Sequence, residues 1–398
     1  MASARTAAAS SAGKGAEGAA MNRVMAVLAG LMCLGSGASL AQSPSLPAQA
    51  DDYVGYAETG LPAHFRRDAP GGSVVSTDNT PVDNPLSNAG ATLGRVLFYD
   101  PRLSANDSTS CASCHLQSRA FDDSLVKSIG FDGASTARNS TGLGNARFYA
   151  PGHFRWDETA NQLEDQVLLP IQDAGEMGLT LPVLVGKLSA EPFYGPLFQN
   201  AFGSPQITSD RIAMALSQFV RAMVSYSSKF DQAFAGGGPP DFQGTLNAQE
   251  FLGLQLFQPV PGSTVTSLGC AACHGTVAQI ASDVHNIGLD AVDTDAGAGN
   301  GRFKVQSLRN AAVRAPYMHD GRFNTLAEVV EFYNSGVQAN PNLDQRLRAG
   351  PGGPPRRLNL TANEKAALVA FLNTLTDERL LTEKMFADPF PLFANGFD

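Results

Sequence analysis

Two copies of one short motif constrain this chain more than any other feature of its sequence. Four of the five cysteines fall in Cys-x-x-Cys-His sequences, one over residues 111–115 and one over residues 270–274. This spacing is the attachment signature of c-type haem, in which two thiols bind the porphyrin and the adjacent His binds the iron. We therefore expect two covalent c-type haems. The attaching thiols are Cys111, Cys114, Cys270 and Cys273, and the proximal iron ligands are His115 and His274.

Two other chemistries also use paired cysteines. Each pair could close a disulfide, or the four thiols together could bind zinc. Neither alternative explains why a His follows each pair. A zinc site would also have to bring together two pairs that lie 159 residues apart.

The sequence around the two motifs repeats with the same offset of 159 residues. An ungapped echo of this kind predicts two tandem units of one fold. We expect each unit to open with a short helix and to reach its haem motif through a loop. The matching pairs are Leu93-Gly94 with Leu252-Gly253, and Leu97-Phe98 with Leu256-Phe257.

Helical patterns account for most of the remaining regular sequence. Apolar residues recur at helical spacing over residues 210–234, and capping boxes pair Thr325 with Glu328 and Thr361 with Glu364. Strand-like alternation is nearly absent. The predicted fold class is mainly α, with two tandem cytochrome c-like domains, long loops and one covalent haem in each domain.

The N-terminal segment is typical of a secretory signal. Arg23 precedes an apolar run over residues 24–34, and small residues follow up to Ala41. The run is too short for a membrane span and no later segment is long enough, so we expect a periplasmic protein that does not span the membrane. An uncleaved N-terminal anchor is the alternative. A net charge of −9 without a basic cluster excludes nucleic acid as an expected partner.

These signals divide the chain into four parts. We expect a leader and signal peptide over residues 1–41 and an N-terminal extension over residues 42–79. A first haem domain then covers residues 80–240, and a second, with a C-terminal helix, covers residues 241–398. The Gly/Pro stretch at residues 236–240 is the predicted linker.

Further motifs follow one another along the chain in a specific order. They include Arg138-Asn139-Ser140, Trp156-Asp157, Gly175-Glu176-Met177-Gly178 and Leu308-Arg309-Asn310, and then Ala-Pro-Tyr-Met-His-Asp-Gly over residues 315–321. Over residues 80–385 the chain thus resembles the bacterial di-haem cytochrome c peroxidases and their MauG-like relatives. The resemblance implies a peroxidatic haem in the first domain and an electron-transfer haem in the second.

The resemblance also implies a catalytic pair above the first haem. Glu176 matches the residue that moves a proton between the two oxygens of peroxide, and Gln166 matches the residue that orients peroxide. Phe131 stands where many family members have a His that closes the resting peroxidatic haem. Because Phe cannot bind iron, we expect this haem to be open without prior reduction, unless His153 substitutes.

The ligand and bridge residues of the second haem come from the same resemblance. Tyr333 matches the sixth-ligand position, where typical peroxidases have Met and MauG-like relatives have Tyr. Packing alone is the alternative for Tyr333, and Met318 is another possible ligand. Trp156 matches an indole that passes electrons between the haems, although Glu158 follows where the family has Gly. His319 matches a residue near the second haem, with an expected hydrogen-bonding role.

One further cofactor is implied by the resemblance. Asn139, with main-chain oxygens near Arg314 and Pro316, matches a calcium site between the domains, and hard oxygen ligands suit calcium. The oligomeric state has no signature in the sequence, but family members are often dimers, so a homodimer is an open option.

Two enzymatic functions remain open at this point. An exported peroxidase would reduce hydrogen peroxide to water with electrons from a small cytochrome c or copper protein. A MauG-like oxidase would instead use peroxide to oxidise aromatic residues of a partner protein, and Phe131 and Tyr333 favour this alternative. A plain electron-transfer cytochrome is disfavoured, because it has no use for Gln166 and Glu176 above an open iron.

Overall fold

The computed structural model describes residues 43–57, 60–66, 74–280 and 283–390. The predicted signal peptide over residues 1–41, with Cys33, lies outside this part of the chain. None of the helices in the described part is long and apolar enough to cross a membrane.

The described fold is mainly helical, as the sequence predicts. Its regular strands are a single antiparallel pair, β1 (Val284–His285) and β2 (Phe303–Lys304), within the described ranges. In chain order the α-helices are α1 Ala63–Arg66, α2 Asn88–Tyr99, α3 Cys111–Cys114, α4 Leu163–Gln166, α5 Leu169–Gln172, α6 Leu181–Ala190, α7 Tyr194–Phe202, α8 Ser209–Ala222, α9 Lys229–Gln232, α10 Phe242–Thr245, α11 Ala248–Phe257, α12 Leu326–Glu331, α13 Ala362–Asn373 and α14 Glu378–Thr382.

The repeated Leu-Gly pairs mark two helix crossings that are built in the same way. Helix α2 packs against α8 so closely that a Cβ on Gly94 would lie 2.0 Å from the Ala215 carbonyl oxygen. Helix α11 packs against α13 in the same manner, and a Cβ on Gly253 would lie 2.0 Å from the Ala367 carbonyl oxygen. Only glycine permits this approach, which explains the repeated pair.

Each crossing sits inside a separate apolar core. Phe98 and Phe219 of the first crossing pack edge to face, with ring centroids 5.4 Å apart. Phe257 and Phe371 of the second crossing are 5.1 Å apart. A helix, α2 or α11, therefore lies shortly before each Cys-x-x-Cys-His motif.

One predicted helical segment is interrupted. The pattern over residues 210–234 predicts continuous helix, but α8 ends at Ala222 and α9 begins only at Lys229. Asp377, from the far end of the chain, accepts hydrogen bonds from the backbone N–H groups of Tyr226 and Ser227 at 2.7 and 3.0 Å. These tertiary bonds replace helical ones, so the local apolar period was misleading here.

The two capping boxes are confirmed. Thr325 and Glu328 cap α12, and Thr361 and Glu364 cap α13, each with reciprocal side-chain to backbone bonds. Helix α12 does not end in an ordinary turn, because a π-helical turn over Phe332–Gly336 continues from it. Such turns are frequent at functional sites.

The N-terminal extension is fastened to distant parts of the chain. The backbone N–H of Ser45 donates to the Pro389 carbonyl at 2.7 Å. A buried ion cluster fixes α1: His64 Nε2 lies 2.8 Å from Asp231 Oδ1, and Arg309 Nη2 donates to the same oxygen at 2.8 Å. One carboxylate thus joins the extension, the segment after α8 and the region that follows the second Cys-x-x-Cys-His motif.

Replacing the crossing glycines by alanine tests the close helix approach. Gly94→Ala and Gly253→Ala should each destabilise the holoprotein by about 2–3 kcal/mol, because the new methyl group must push two backbones apart. Urea unfolding of each variant measures the loss. Gly186→Ala in α6 is the matched control, since a Cβ there meets nothing within 4 Å. It should be neutral or slightly stabilising, and an equal loss in the control would refute the argument.

Replacing the shared carboxylate tests the ion cluster. Asp231→Asn should destabilise the holoprotein by about 3 kcal/mol at pH 7, because Arg309 is left buried without a counter-charge. Arg309 and His64 hold the pKa of Asp231 well below its usual value. The stabilisation by the carboxylate is therefore present above about pH 4 and decreases as the pH falls towards the folded-state pKa.

Unfolding at two pH values shows whether the charge of Asp231 stabilises this cluster. Urea unfolding at pH 7 and pH 3 should show a smaller gap between Asp231→Asn and wild type at the lower pH. A gap that stays constant would mean that the charge of Asp231 is not what stabilises the cluster. Asp210→Asn, at an exposed position in α8, should leave stability within about 0.5 kcal/mol of wild type.

Candidate functional site

A cavity of about 450 Å³ opens beside the second Cys-x-x-Cys-His motif. Cys270, Cys273 and His274 form part of its wall, and Trp156 and Tyr333 contribute to other parts of it. The volume lies in the range of small-molecule and cofactor sites. Much of the remaining wall is apolar and comes from Phe257, Leu268, Leu308, Val330, Leu368 and Leu372.

His274 fits the role of an iron ligand. Burial lowers the pKa of its imidazole to about 4, so the ring is neutral, as metal binding requires. A backbone hydrogen bond involving Gln306 acts on the ring and partly opposes this fall in pKa. A neutral imidazole in the wall of a largely apolar cavity fits a bound haem at this motif.

The first motif has a different but equally suitable arrangement. Its cysteines form α3, which a Ser110–Ser113 capping box begins. His115 follows, and its Nδ1 lies 2.9 Å from the Phe121 carbonyl oxygen. The bond makes Nδ1 the protonated nitrogen and leaves Nε2 with a lone pair, which is the usual arrangement in metal-binding histidines. Burial lowers the pKa of His115, which keeps the ring neutral.

The disulfide and zinc alternatives do not fit the geometry. All four thiols in the two motifs are unpaired. Cys111 packs against the core around α2 and Cys270 against the core around α11, so the pairs do not meet at one site. Burial raises the pKa of Cys111 to about 12 and of Cys270 to about 11, so both thiols are neutral in the protein without a bound cofactor.

Glu176 lies near the first motif. Glu176 lies in the turn after α5. Its negative charge is close enough to Cys111 and Cys114 to raise the pKa of both thiols. Burial, with a smaller contribution from Asp173, raises the pKa of Glu176, and Arg155 partly opposes the rise. A raised pKa makes the carboxylate a stronger base, which favours a role in proton transfer.

Gln166 ends α4, and its side-chain oxygen Oε1 is buried with no hydrogen-bond partner among the described residues. Such an atom is suited to a bound ligand with a hydrogen to donate. Hydrogen peroxide is a ligand of this kind. The role of Gln166 in orienting peroxide stays a prediction.

Phe131 is fixed onto the loop that carries Glu176. Its backbone N–H donates to the Glu176 carbonyl at 2.8 Å, and Asn106 Nδ2 donates to the Phe131 carbonyl at 2.9 Å. The ring covers Gly178, where a Cβ would lie 2.3 Å from it. Phe131 thus positions the backbone around Glu176 and brings no side chain able to bind iron.

Trp156 and His319 meet at a junction built on Asn139. The indole Nε1 of Trp156 donates to the Asn139 carbonyl at 2.8 Å, and the Asn139 N–H donates to the His319 carbonyl at 2.8 Å. The His319 ring stacks on Phe303 at a centroid distance of 3.8 Å, and both rings lie 6.4 Å from the indole. The His319 ring is therefore held by stacking, while its backbone carbonyl makes the hydrogen bond.

Arg138, next to Asn139, supplies a second link across this junction. Its guanidinium lies 2.6 Å from Asp157 and 2.7 Å from Asp295. The motif residues Arg138 and Asp157 therefore form one ion-pair network with a residue from the loop before β2. This network fixes the segment on which Trp156 lies.

The departure from the family pattern at Glu158 has a structural role. Glu158 accepts a hydrogen bond from the hydroxyl of Tyr149, which is buried. The ammonium group of Lys304 lies 4.0 Å above the Tyr149 ring, and burial lowers the pKa of Lys304 to about 8. The backbone N–H of Lys304 also donates to the Trp156 carbonyl at 2.9 Å.

The three residues predicted for calcium, Asn139, Arg314 and Pro316, all line the cavity. Asp122, which no motif indicated, lines it as well and lies 4.0 Å from Arg314. Burial raises the pKa of Asp122 to about 7. Among the described residues no group of three or more His, Cys, Asp or Glu side chains could hold a metal ion, so a calcium site here would depend on amide and main-chain oxygens.

Tyr333 and Met318, the two alternatives for the sixth ligand, both line the cavity. Tyr333 belongs to the π-helical turn after α12, and burial raises the pKa of its phenol. Without a nearby cation this phenol is therefore protonated. A bound metal ion is the kind of charge that removes such a proton.

Sequence reasoning missed Asp122 and Lys304. Both face the cavity, and neither belongs to a repeated or spaced motif. Asp122 follows His115 by seven residues and comes directly after Phe121, whose carbonyl holds the His115 ring. The contact between the Phe121 carbonyl and the His115 ring becomes visible only in three dimensions.

Comparisons with known proteins agree with this geometry. The sequence profile of the family described as di-haem cytochrome c peroxidase matches residues 88–238. The methylamine utilization protein MauG of Methylorubrum extorquens is 34% identical over 75% of this chain and 81% of its own length. The cytochrome c551 peroxidase of Nitrosomonas europaea is 32% identical over 73% of this chain and 80% of its own.

A solved structure is similar over most of the chain. The crystal structure of a MauG-like protein associated with microbial copper homeostasis has a TM-score of 0.68 and 33% identity, over 83% of this chain and 99% of that one. Sequence identity above 30% over three quarters or more of the chain indicates membership of one family and not only a shared fold. The chain therefore belongs to the di-haem cytochrome c peroxidase family, which includes the MauG proteins, and is an oxidoreductase that uses peroxide.

Proposed function

We propose that the protein is an exported di-haem peroxidase that reduces hydrogen peroxide to water. Its electrons come one at a time from a small cytochrome c or cupredoxin and enter through the second haem. Two observations carry the proposal: Glu176, whose pKa is raised by burial, lies close enough to Cys111 and Cys114 for its charge to act on both thiols, and the side-chain oxygen of Gln166 is buried without a partner among the described residues. A relay cytochrome has no need of such a pair.

The proposed architecture is two tandem cytochrome c-like domains with one covalent haem each. Residues 80–240 would form the peroxidatic domain and residues 241–398 the electron-transfer domain. The two equivalent glycine crossings support this division. The extension over residues 42–79 would belong to the mature periplasmic protein, after a signal peptide over residues 1–41 has been removed.

The residues of each motif would hold the haems. Cys111, Cys114 and His115 would bind the first, and the second would occupy the cavity beside His274, with Tyr333 as its sixth ligand. When bound, the haems would supply the redox chemistry that peroxide reduction requires, with peroxide binding at the first haem and electrons entering at the second. One calcium ion, held by Asn139 and the main-chain oxygens of Arg314 and Pro316, would stabilise the junction.

Side chains of the protein would orient peroxide and move its proton. Gln166 Oε1 would accept a hydrogen bond from peroxide and fix its orientation. The Glu176 carboxylate would take a proton from one peroxide oxygen and deliver it to the other, so that the O–O bond breaks with water as the leaving group. With two electrons and two further protons, one peroxide yields two water molecules. Trp156, at the Asn139 junction, would pass the electrons between the two haem sites.

A MauG-like oxidase is the second candidate function. Phe131 lacks any group that could bind the first iron, and Tyr333 lines the cavity beside the second motif. An anionic phenolate ligand would lower the reduction potential of the second haem and make it a poor acceptor from high-potential donors. In that case peroxide would serve to oxidise aromatic side chains of a partner protein.

A turnover experiment separates the two functions. The purified holoprotein receives hydrogen peroxide and a reduced small cytochrome c, and donor oxidation is followed by its absorbance. Rapid catalytic oxidation supports the peroxidase. A protein that consumes peroxide and then stays oxidised for minutes without oxidising the donor supports the oxidase and contradicts the first proposal.

Glu176→Gln should slow peroxide cleavage by about 10²-fold or more, because the amide cannot take the proton. The rate is measured by stopped-flow spectroscopy as peroxide is mixed with the holoprotein. Asp165→Asn is the matched control, an exposed carboxyl next to Gln166, and should react at the wild-type rate. An unchanged rate in Glu176→Gln would remove the proton-transfer role.

Tyr333→Met tests the sixth ligand. Exchanging an anionic phenolate for a neutral thioether should raise the reduction potential of the second haem by on the order of 0.1 V or more. Spectroelectrochemical titration measures the potential. Tyr317→Phe removes another phenol from the same cavity wall, one whose hydroxyl donates to the Ala311 carbonyl. It should shift the potential little, and equal potentials in Tyr333→Met and wild type would exclude Tyr333 as a ligand.

A further inference from the structure

A hairpin rich in arginine lies close to the second Cys-x-x-Cys-His motif. Residues 346–357 read Arg-Leu-Arg-Ala-Gly-Pro-Gly-Gly-Pro-Pro-Arg-Arg. The two arms pair through the Ala349 N–H to the Pro354 carbonyl at 2.8 Å and the Arg356 N–H to the Leu347 carbonyl at 2.7 Å. We call these twelve residues the arginine hairpin. Its tip of Gly and Pro residues is exposed.

The base of the arginine hairpin is attached to the haem motif itself. Arg346 Nη1 donates to the Ala272 carbonyl at 3.2 Å, between the two motif cysteines. Arg356 Nη2 donates to the Leu268 carbonyl at 2.7 Å, two residues before the motif. Ala272 and Gly269 are themselves exposed. The outer face of the second motif therefore faces solvent and is bordered by guanidinium groups.

The positive charge of the hairpin is largely uncompensated. Arg346 pairs with Asp344 at 2.8 Å. Within the described ranges, Arg348, Arg356 and Arg357 have no carboxylate at ion-pair distance. They bond backbone carbonyls instead, such as that of Val337, which accepts from Arg357 at 2.9 Å. Exposed Asp283 is the other acid whose charge acts on Arg346. The surface is thus locally positive on a chain with a net charge of −9.

We propose that the arginine hairpin is the docking surface for a small acidic electron-transfer protein. The inference rests on the proposed function, in which electrons enter through the second haem. The net charge of the whole chain would favour a basic donor, but the local charge around the exposed face of the second motif has the opposite sign. Local complementarity at the contact face controls association rate and orientation.

The arrangement of the arginines favours a protein over a small anion. A small anion needs several donors that converge on one point. Here the guanidinium groups bond carbonyls in different segments, at Leu343, Leu268 and Val337, and so spread along the hairpin. A spread positive surface around an exposed redox motif matches the acidic rim of a partner protein.

Equilibrium binding tests the proposal without peroxide or turnover. The holoprotein is titrated with two redox-inert probes at low and high salt: zinc-substituted acidic plastocyanin and zinc-substituted basic cytochrome c. Calorimetry measures the affinities. We expect the acidic probe to bind at least about 10-fold tighter at low salt, and its affinity to fall as salt is added.

A charge reversal locates the surface. Arg357→Glu should weaken binding of the acidic probe by about 5-fold or more at low salt. Lys384→Glu is the matched control, an exposed cation whose own carbonyl accepts from Arg95 of α2, and it makes the same change in net charge. It should change the affinity less than 2-fold. The circular dichroism and haem spectra of both variants should match those of wild type.

Several outcomes would overturn the proposal. These are tighter binding of the basic probe, equal weakening by both reversals, and binding of phosphatidylserine vesicles through Arg357 without binding of the acidic probe. The last outcome would assign the hairpin to a membrane surface. Binding of the acidic probe that depends on Arg357, in a protein without peroxidase turnover, would support the docking surface and contradict only the proposed function.

Discussion

The close crossing of α2 and α8 at Gly94 determines how the first haem motif is presented. Because no side chain separates the helices, Phe98 and Phe219 meet across the crossing. Phe121 packs against Phe98 at 5.8 Å, and its carbonyl holds the ring of His115. A glycine in one helix thereby fixes the orientation of the imidazole that would bind iron. The crossing at Gly253 organises the second core in the same way.

The Asn139 junction couples the two halves of the molecule. The Asn139 carbonyl accepts a hydrogen bond from the Trp156 indole and the Asn139 N–H donates to the His319 carbonyl, so the backbone of one residue makes both bonds. Arg138 adds ion pairs to Asp157 and Asp295. The chemistry proposed at the two motifs depends on this junction, because it holds in place the side chain that would carry electrons between them.

Much of the site could be predicted because its signals are local in sequence. The haem motifs, the capping boxes at Thr325 and Thr361, and the repeated Leu-Gly pairs each lie within a few residues. The helix predicted through residue 234 failed because Asp377, far along the chain, takes the backbone N–H groups of Tyr226 and Ser227. Asp122 and Lys304 escaped notice for a related reason: their importance comes from facing one cavity, which is a tertiary property.

The fastening of the N-terminal extension has a consequence for how the polypeptide is matured. Ser45 pairs with Pro389, and His64 needs Asp231 and Arg309 to complete its cluster. These partners leave the ribosome long after the extension does. The earliest part of the described chain therefore completes its contacts only after its most distant partner, close to the C-terminal end of the described ranges, has been synthesised.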